Sequence, residues 1–170
     1  MKLLSRHAGR GDNNFMINAQ GAGAYTRAVI LRGATSDDVR AVLELWAVAA
    51  EDAHRPPDSA AALRALLARD PDALILAVEQ DIIVGTVIAG WDGWRCHLYR
   101  LAVAPDRRRT GIGRMLVRAA EERFVALGGT RVDAMVLDEN ELAHHAWRAA
   151  GYTRQEEWSR WVKPLPTPRD

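Results

Sequence analysis

Apolar residues recur along this chain with two different periods, and each change of period marks an element. The run A-V-I-L-R from Ala28 to Arg32 reads as a first strand. Thr35-Ser36-Asp37-Asp38 supplies helix N-cap chemistry, and Val39, Val42, Leu43, Trp46 and Ala50 then return at helical spacing. The expectation is an amphipathic helix over Asp37–Ala50. Glu51–Pro57 breaks it with a Pro-Pro pair, which no helix interior accepts. Asp58 or Ser59 caps a second helix running to Arg69, with Leu63, Leu66 and Leu67 on one face.

Beyond the turn Asp70-Pro71-Asp72 the period shortens. Ala73–Val78, Ile82–Gly90 and Arg95–Val103 read as three strands. Gln80-Asp81 and the Asp92-Gly93 hairpin signal join them into an antiparallel meander. Gly111–Leu127 returns to helical spacing through Ile112, Leu116, Ala119, Ala120, Arg123 and Leu127, and Gly128-Gly129 stops it. Val132–Leu137 is the next expected strand. Asp138-Glu139-Asn140 opens a helix to Ala150, and Tyr152–Val162 reads as one or two closing strands. The order β-α-α-β-β-β-α-β-α-β implies an α/β chain with a mixed, mostly antiparallel sheet and helices on both faces. The expected boundaries are a mobile extension over 1–26, one domain over 27–164 and a tail over 165–170.

Composition narrows the class of function. The 170 residues carry 23 basic and 22 acidic side chains, so net charge gives no reason to expect a nucleic-acid or membrane-surface binder. No apolar run approaches the ~20 residues of a membrane span. A single cysteine, Cys96, excludes an internal disulfide and suits the cytoplasm. Adjacent His144 and His145 face different ways, and no third ligand sits at metal spacing, so no metal is expected.

Chemistry concentrates in Leu98–Met115, L-Y-R-L-A-V-A-P-D-R-R-R-T-G-I-G-R-M. A strand ends at Pro105, a polar turn carries three consecutive arginines, and a helix starts at about Gly111. Strand, basic Gly-rich loop and helix N-terminus together suit a pyrophosphate. A Rossmann fingerprint would need a third glycine where Leu116 stands, and a P-loop would need a lysine after Gly113.

The element order, the strand ending L-A-V-A-P, the loop R-R-T-G-I-G and the later N-x-x-A-x-x-x-W-x-x-x-G-Y together resemble the GCN5-related N-acetyltransferase (GNAT) superfamily. The segment V-G-T-V-I-A-G-W-D-G-W is also similar to small bacterial enzymes of the ribosomal-protein N-acetyltransferase-like type. The resemblance implies acetyl-CoA as co-substrate and a primary amine as acceptor, either a small molecule or a protein N-terminus or lysine. It places the pyrophosphate on the backbone N–H groups of Arg109, Thr110, Gly111, Ile112, Gly113 and Arg114. Arg107 and Arg108 compete with Arg109 and Arg114 for the phosphate charges, and not all four are needed. Leu101, Ala102 and Val103 would offer their backbone to the pantetheine arm along an open strand edge.

At the position where many members carry a glutamate base this chain has His97, with Tyr99 and Leu101 expected on the same face by period 2. His97 is thus the candidate base, and Tyr99 a candidate to position a water; inter-strand bonding and core packing are the competing roles. The usual tyrosine acid is replaced by Trp147, whose indole gives up no proton usefully. Trp147 beside the pantetheine and Asn140 on the cofactor arm are further implied contacts, with an N-cap role equally open to Asn140. His54 and Arg55 would line the acceptor pocket if they are more than connector residues. The implied activity is N-acetyl transfer by direct attack in a ternary complex. The alternatives are a CoA-binding regulatory module with impaired catalysis, or transfer from a different acyl-CoA. Exposed tryptophans near the C-terminus would suit a homodimer interface.

Overall fold

The structure, a computed structural model, describes residues 28–49 and 57–166. The expected N-terminal extension, Ala50, most of the break after it with His54 and Arg55, and the last four residues lie outside the described residues. The chain divides into two units between Met135 and Val136.

The first unit is built on a sheet of β1 (Val29–Gly33), β2 (Leu74–Glu79), β3 (Ile82–Trp91), β4 (Cys96–Val103) and β5 (Val132–Ala134), in that spatial order. The first four strands are antiparallel neighbours, and β5 joins β4 in parallel. The β2–β3 turn uses Gln80 and Asp81, both at positive φ (50° and 63°), which matches the twist of the flanking strands.

On one face lie α1 (Val39–Ala49) and α2 (Ala60–Arg69). Thr35 and Asp38 form a capping box ahead of a short 3-10 turn that leads into α1, and the Ser59 hydroxyl accepts the N–H of Ala62 to start α2. Val39, Val42, Trp46 and Leu63 pack with Leu74, Leu76 and Ala102 into the core on this side. On the opposite face α3 (Ile112–Ala126) buries Ile112, Leu116, Val117, Ala120 and Phe124. A Cβ added at Gly85 would come within 2.9 Å of Ile112 and 3.0 Å of Leu116, so glycine lets α3 settle onto β3. Gly128, at φ +86°, ends that helix. Gly129 follows it so closely over β4 that an added Cβ would lie 2.4 Å from the Cys96 sulfur.

The second unit holds α4 (Glu141–Ala149), capped by Asn140 through the N–H of Ala143. Two expectations about strands change. The strand expected over Val132–Leu137 stops at Ala134, and residues 152–166 form no strand. The closing stretch spaces Trp158 and Trp161 three apart, and both are exposed, so no period-2 face exists to bury. Tyr152 is accordingly not a strand residue; its ring packs edge-on against Trp147 at 4.8 Å.

Candidate active site on strand β4 and the loop after it

Strand β4 changes the parity of its side chains half-way along. The register runs from Gly90↔His97 and Ile88↔Tyr99 to Thr86↔Ala102, so Arg100 and Leu101 together oppose Val87. This is a β-bulge, with Arg100 in the left-handed region at φ +51°. A buried relay holds it. The Trp46 indole N–H donates to the Thr86 hydroxyl at 2.8 Å, and that hydroxyl donates to the Arg100 carbonyl at 3.0 Å. The Arg100 guanidinium stacks over the Trp46 ring at 5.0 Å and pairs with Asp58. The extra residue also shifts parity. Ala102 continues the face of His97 and Tyr99, and Leu101 moves to the face of α3, against the expectation that Leu101 would share it.

Strand β5 covers only the first part of β4. Their pairing is confined to Cys96↔Val132, His97↔Asp133 and Leu98↔Ala134. From Leu101 to Val103 no strand among the described residues pairs with the outer edge of β4. A free edge beyond a bulge is a place where an extended ligand can add as a strand.

The chain leaves β4 through a 3-10 turn at Pro105–Arg107 and enters α3 with Gly111 at φ +92°. The Thr110 hydroxyl donates to the Arg107 carbonyl at 2.6 Å and closes the loop. The backbone N–H groups from Arg109 through Arg114 have no hydrogen-bond partner among the described residues; the first α3 bond is Met115 N–H to Gly111 O. Six consecutive unpartnered N–H groups at a helix start make a strong anion cradle.

The arginines divide by role. Arg107 is engaged by Glu79 at 2.8 Å and Asp106 at 2.6 Å, and the Glu79 hydrogen bond raises its pKa further. Arg108 reaches the carbonyls of Val103 and Ala49, both at 3.3 Å. Arg109 and Arg114 are exposed and have no ion pair or side-chain hydrogen bond among the described residues.

His97 is partly buried, and its Nδ1 lies 2.5 Å from Asp133 Oδ1 across the β4–β5 pairing. Its ring centroid is 5.9 Å from that of half-exposed Tyr99. At the hairpin before β4, Asp92 accepts the N–H groups of Trp94 and Arg95, and those bonds hold its carboxyl below its ordinary value.

These elements belong to one known arrangement. The model of the acetyltransferase (GNAT) family matches residues 39–152. The chain belongs to the GNAT acetyltransferase family. An acetyltransferase of Pectobacterium atrosepticum is 36% identical over 106 residues, covering 62% of this chain and 74% of the relative. Two solved structures share the fold at lower identity. An aminoglycoside 6'-N-acetyltransferase of Acinetobacter haemolyticus has TM-score 0.61 at 20% identity, over 80% of this chain and 99% of the other. A ribosomal-protein alanine N-acetyltransferase of Escherichia coli has TM-score 0.59 at 17% identity, over 72% of this chain and 76% of the other.

In this GNAT acetyltransferase the first unit brings together most of the residues singled out from the sequence. His97 and Tyr99 share a face; Leu101 ends the bulge and Ala102 and Val103 follow it; Arg108 to Arg114 form the loop and helix start. Asn140 and Trp147 lie in the second unit, Asn140 as the cap of α4 and Trp147 inside it. His145 is exposed, and His144 is half-buried with Nε2 3.3 Å from the Asp138 carbonyl. Among the described residues no group of three or more His, Cys, Asp or Glu side chains could hold a metal. No described helix is long and apolar enough to cross a membrane.

Sequence reasoning missed Asp133 and the Trp46–Thr86 relay. Both depend on long-range pairing. The three residues of β5, V-D-A, give no register against β4, and nothing local marks Thr86 as the holder of a bulge.

Proposed function

We propose that this chain transfers the acetyl group of acetyl-CoA to a primary amine by direct attack within a ternary complex. The observation that carries the reading is the run of unpartnered N–H groups from Arg109 to Arg114, next to the open edge of β4. The fit to a pyrophosphate is good on three counts. The N–H groups need an acceptor, Arg109 and Arg114 supply charge without breaking an existing pair, and Gly111 offers open space where a Cβ would project. When bound, the thioester supplies an activated acyl carbon.

This chain's residues do the rest. The edge from Leu101 to Val103 orients the pantetheine arm by backbone hydrogen bonds. His97 takes a proton from the incoming ammonium, directly or through a water placed by Tyr99; such an amine has an ordinary pKa of about 10.4 and attacks only when neutral. The C–N bond forms, the C–S bond breaks, and the thiolate leaves without a dedicated acid, because its conjugate thiol is acidic at about 8.5. Trp147 takes no part in that proton transfer.

The aminoglycoside and ribosomal-protein enzymes that share the fold define two kinds of amine to try. The test incubates the full chain with acetyl-CoA and a panel holding an alanine-initiated peptide, a lysine peptide, an aminoglycoside and small monoamines. Released thiol is followed, and products are weighed by mass spectrometry. Acetylation of any one amine is the expected result. Tight acetyl-CoA binding with no acetylated amine would refute the transferase and leave a CoA-binding module. Substituting longer acyl-CoAs in the same panel decides the acyl group.

A further inference from the structure

Asp133 stands directly opposite His97 in the parallel β4–β5 register, and its Oδ1 is 2.5 Å from Nδ1. An ionised carboxylate only accepts, so Nδ1 carries the hydrogen and Nε2 is left as the basic position of the neutral ring. We propose that Asp133 is a positioning residue for the transfer, fixing His97 in the tautomer whose Nε2 takes the proton from the amine. This rests on the reading of His97 as the base.

A purely structural role accounts poorly for the pair. The Asp133 side chain is 47% exposed, and a hydrogen bond whose acceptor is so open to water adds little to stability. The pair sits at a particular place. It is the second of three β4–β5 register pairs, and beyond the bulge no strand among the described residues pairs with the outer edge of β4. Holding the imidazole there fixes it beside the open edge that the proposed function gives to the pantetheine arm.

The other groups around the ring do not replace Asp133. Gly90, its partner on β3, has no side chain, and Tyr99 lies beside it on the same strand. Asp92 is near enough for the His97 charge to act on its carboxyl, but its Oδ1 is engaged by two backbone N–H groups, and Arg95 is drawn over the Trp94 ring. The Cys96 thiol lies on the opposite face, under Gly129.

In the proton balance, the ammonium proton moves to Nε2 before attack, the neutral amine then forms the C–N bond as the C–S bond breaks, and the second nitrogen proton passes to water or to the departing thiolate. The resulting imidazolium keeps its Nδ1–H on the Asp133 carboxylate and then returns the Nε2 proton to water or to the departing thiolate. Without the carboxylate the ring is free to take the other tautomer, which presents an N–H where a lone pair is needed.

The test uses the full chain as wild type, His97→Ala, Asp133→Asn and Asp133→Glu, with far-ultraviolet circular dichroism confirming the fold of each. Ring ¹⁵N shifts, with the His97 signals assigned by their loss in His97→Ala, report the tautomer without any substrate. Rates are measured as thiol release from acetyl-CoA with the mixed amine panel. In wild type the hydrogen is expected on Nδ1. Asp133→Asn is expected to shift it toward Nε2 and to lower kcat by about tenfold or more, with the KM for acetyl-CoA within about twofold. Asp133→Glu is expected to recover part of the rate. An unchanged tautomer in Asp133→Asn overturns the proposal, as does a changed tautomer with an unaltered rate. A normal rate in His97→Ala removes the base itself and this inference with it. A slow His97→Ala beside a normal Asp133→Asn removes Asp133 alone.

Discussion

Replacing Thr86 by valine keeps the shape of the side chain and removes its hydroxyl. Thr86 is fully buried and Trp46 is 4% exposed, so water cannot replace the lost partner. Two bonds go at once, the 2.8 Å bond from the Trp46 indole and the 3.0 Å bond to the Arg100 carbonyl. An orphaned buried donor costs about 1–3 kcal/mol, and the lost carbonyl bond adds about 1 kcal/mol. Thr86→Val should therefore destabilise the chain by about 2–4 kcal/mol. Thr86→Ser, which keeps the hydroxyl and loses one methyl, should cost about 1 kcal/mol. Urea unfolding measures both, as a fall in midpoint at constant slope. In a Trp46→Phe background, where no indole N–H needs a partner, Thr86→Val should cost about 1–2 kcal/mol less than in wild type. A Thr86→Val penalty below about 0.5 kcal/mol, or one unchanged by Trp46→Phe, would refute the relay as the holder of the bulge.

Other perturbations separate the roles of the loop residues. Arg109→Ala and Arg114→Ala should each raise the KM for acetyl-CoA by about tenfold with little change in melting temperature, as expected for one lost charge-assisted contact. Arg107→Ala should do the reverse, lowering the denaturant midpoint because Glu79, 9% exposed, loses its partner, while the KM for acetyl-CoA stays close to that of wild type. Gly111→Ala places a Cβ on a residue at φ +92° and should cost about 1–2 kcal/mol by the same assay. The Arg32 fork, at 2.7 Å on both oxygens, holds the Asp38 carboxyl at about 2. A lowered folded-state value stabilises the fold above the ordinary carboxylate range near ~3.9 and stops doing so as pH falls toward 2. Because Arg32 is 40% exposed, the contribution is discounted to about 1 kcal/mol. Unfolding measured from pH 5 downward should show that loss in wild type and not in Asp38→Asn.

Local patterns carried most of the architecture. The caps at Thr35, Ser59 and Asn140, the two-residue turn at Gln80-Asp81 and the helical spacing over α3 each stand where short-range chemistry placed them. The glycine loop was legible for the same reason, since its N–H groups are left without partners by the geometry of one helix start. Arg100 shows where such reading stops. Nothing in H-L-Y-R-L-A-V announces an extra residue, yet the bulge reverses the parity of everything after it and moves Leu101 to the other face. The bulge is decided by Trp46 and Thr86, far away in the chain. Asp133 was illegible on similar grounds, because a parallel register set through fifteen residues of helix leaves no local trace. The closing strands misled for the opposite reason. Aromatic residues raise β-propensity, but Trp158 and Trp161 gain nothing from it without a partner to cover them.

Cys96 gives the molecule a built-in reporter. The thiol is 2% exposed, lies against Gly129 and pairs through its backbone with Val132, and burial raises its pKa. A thiol reagent meets a protonated, covered sulfur until the β4–β5 seam or the α3–Gly129 junction parts. Since the chain has no other cysteine, every labelling event has the same address. The labelling rate is then a clock for opening of the junction that carries His97 and Asp133, readable by mass alone.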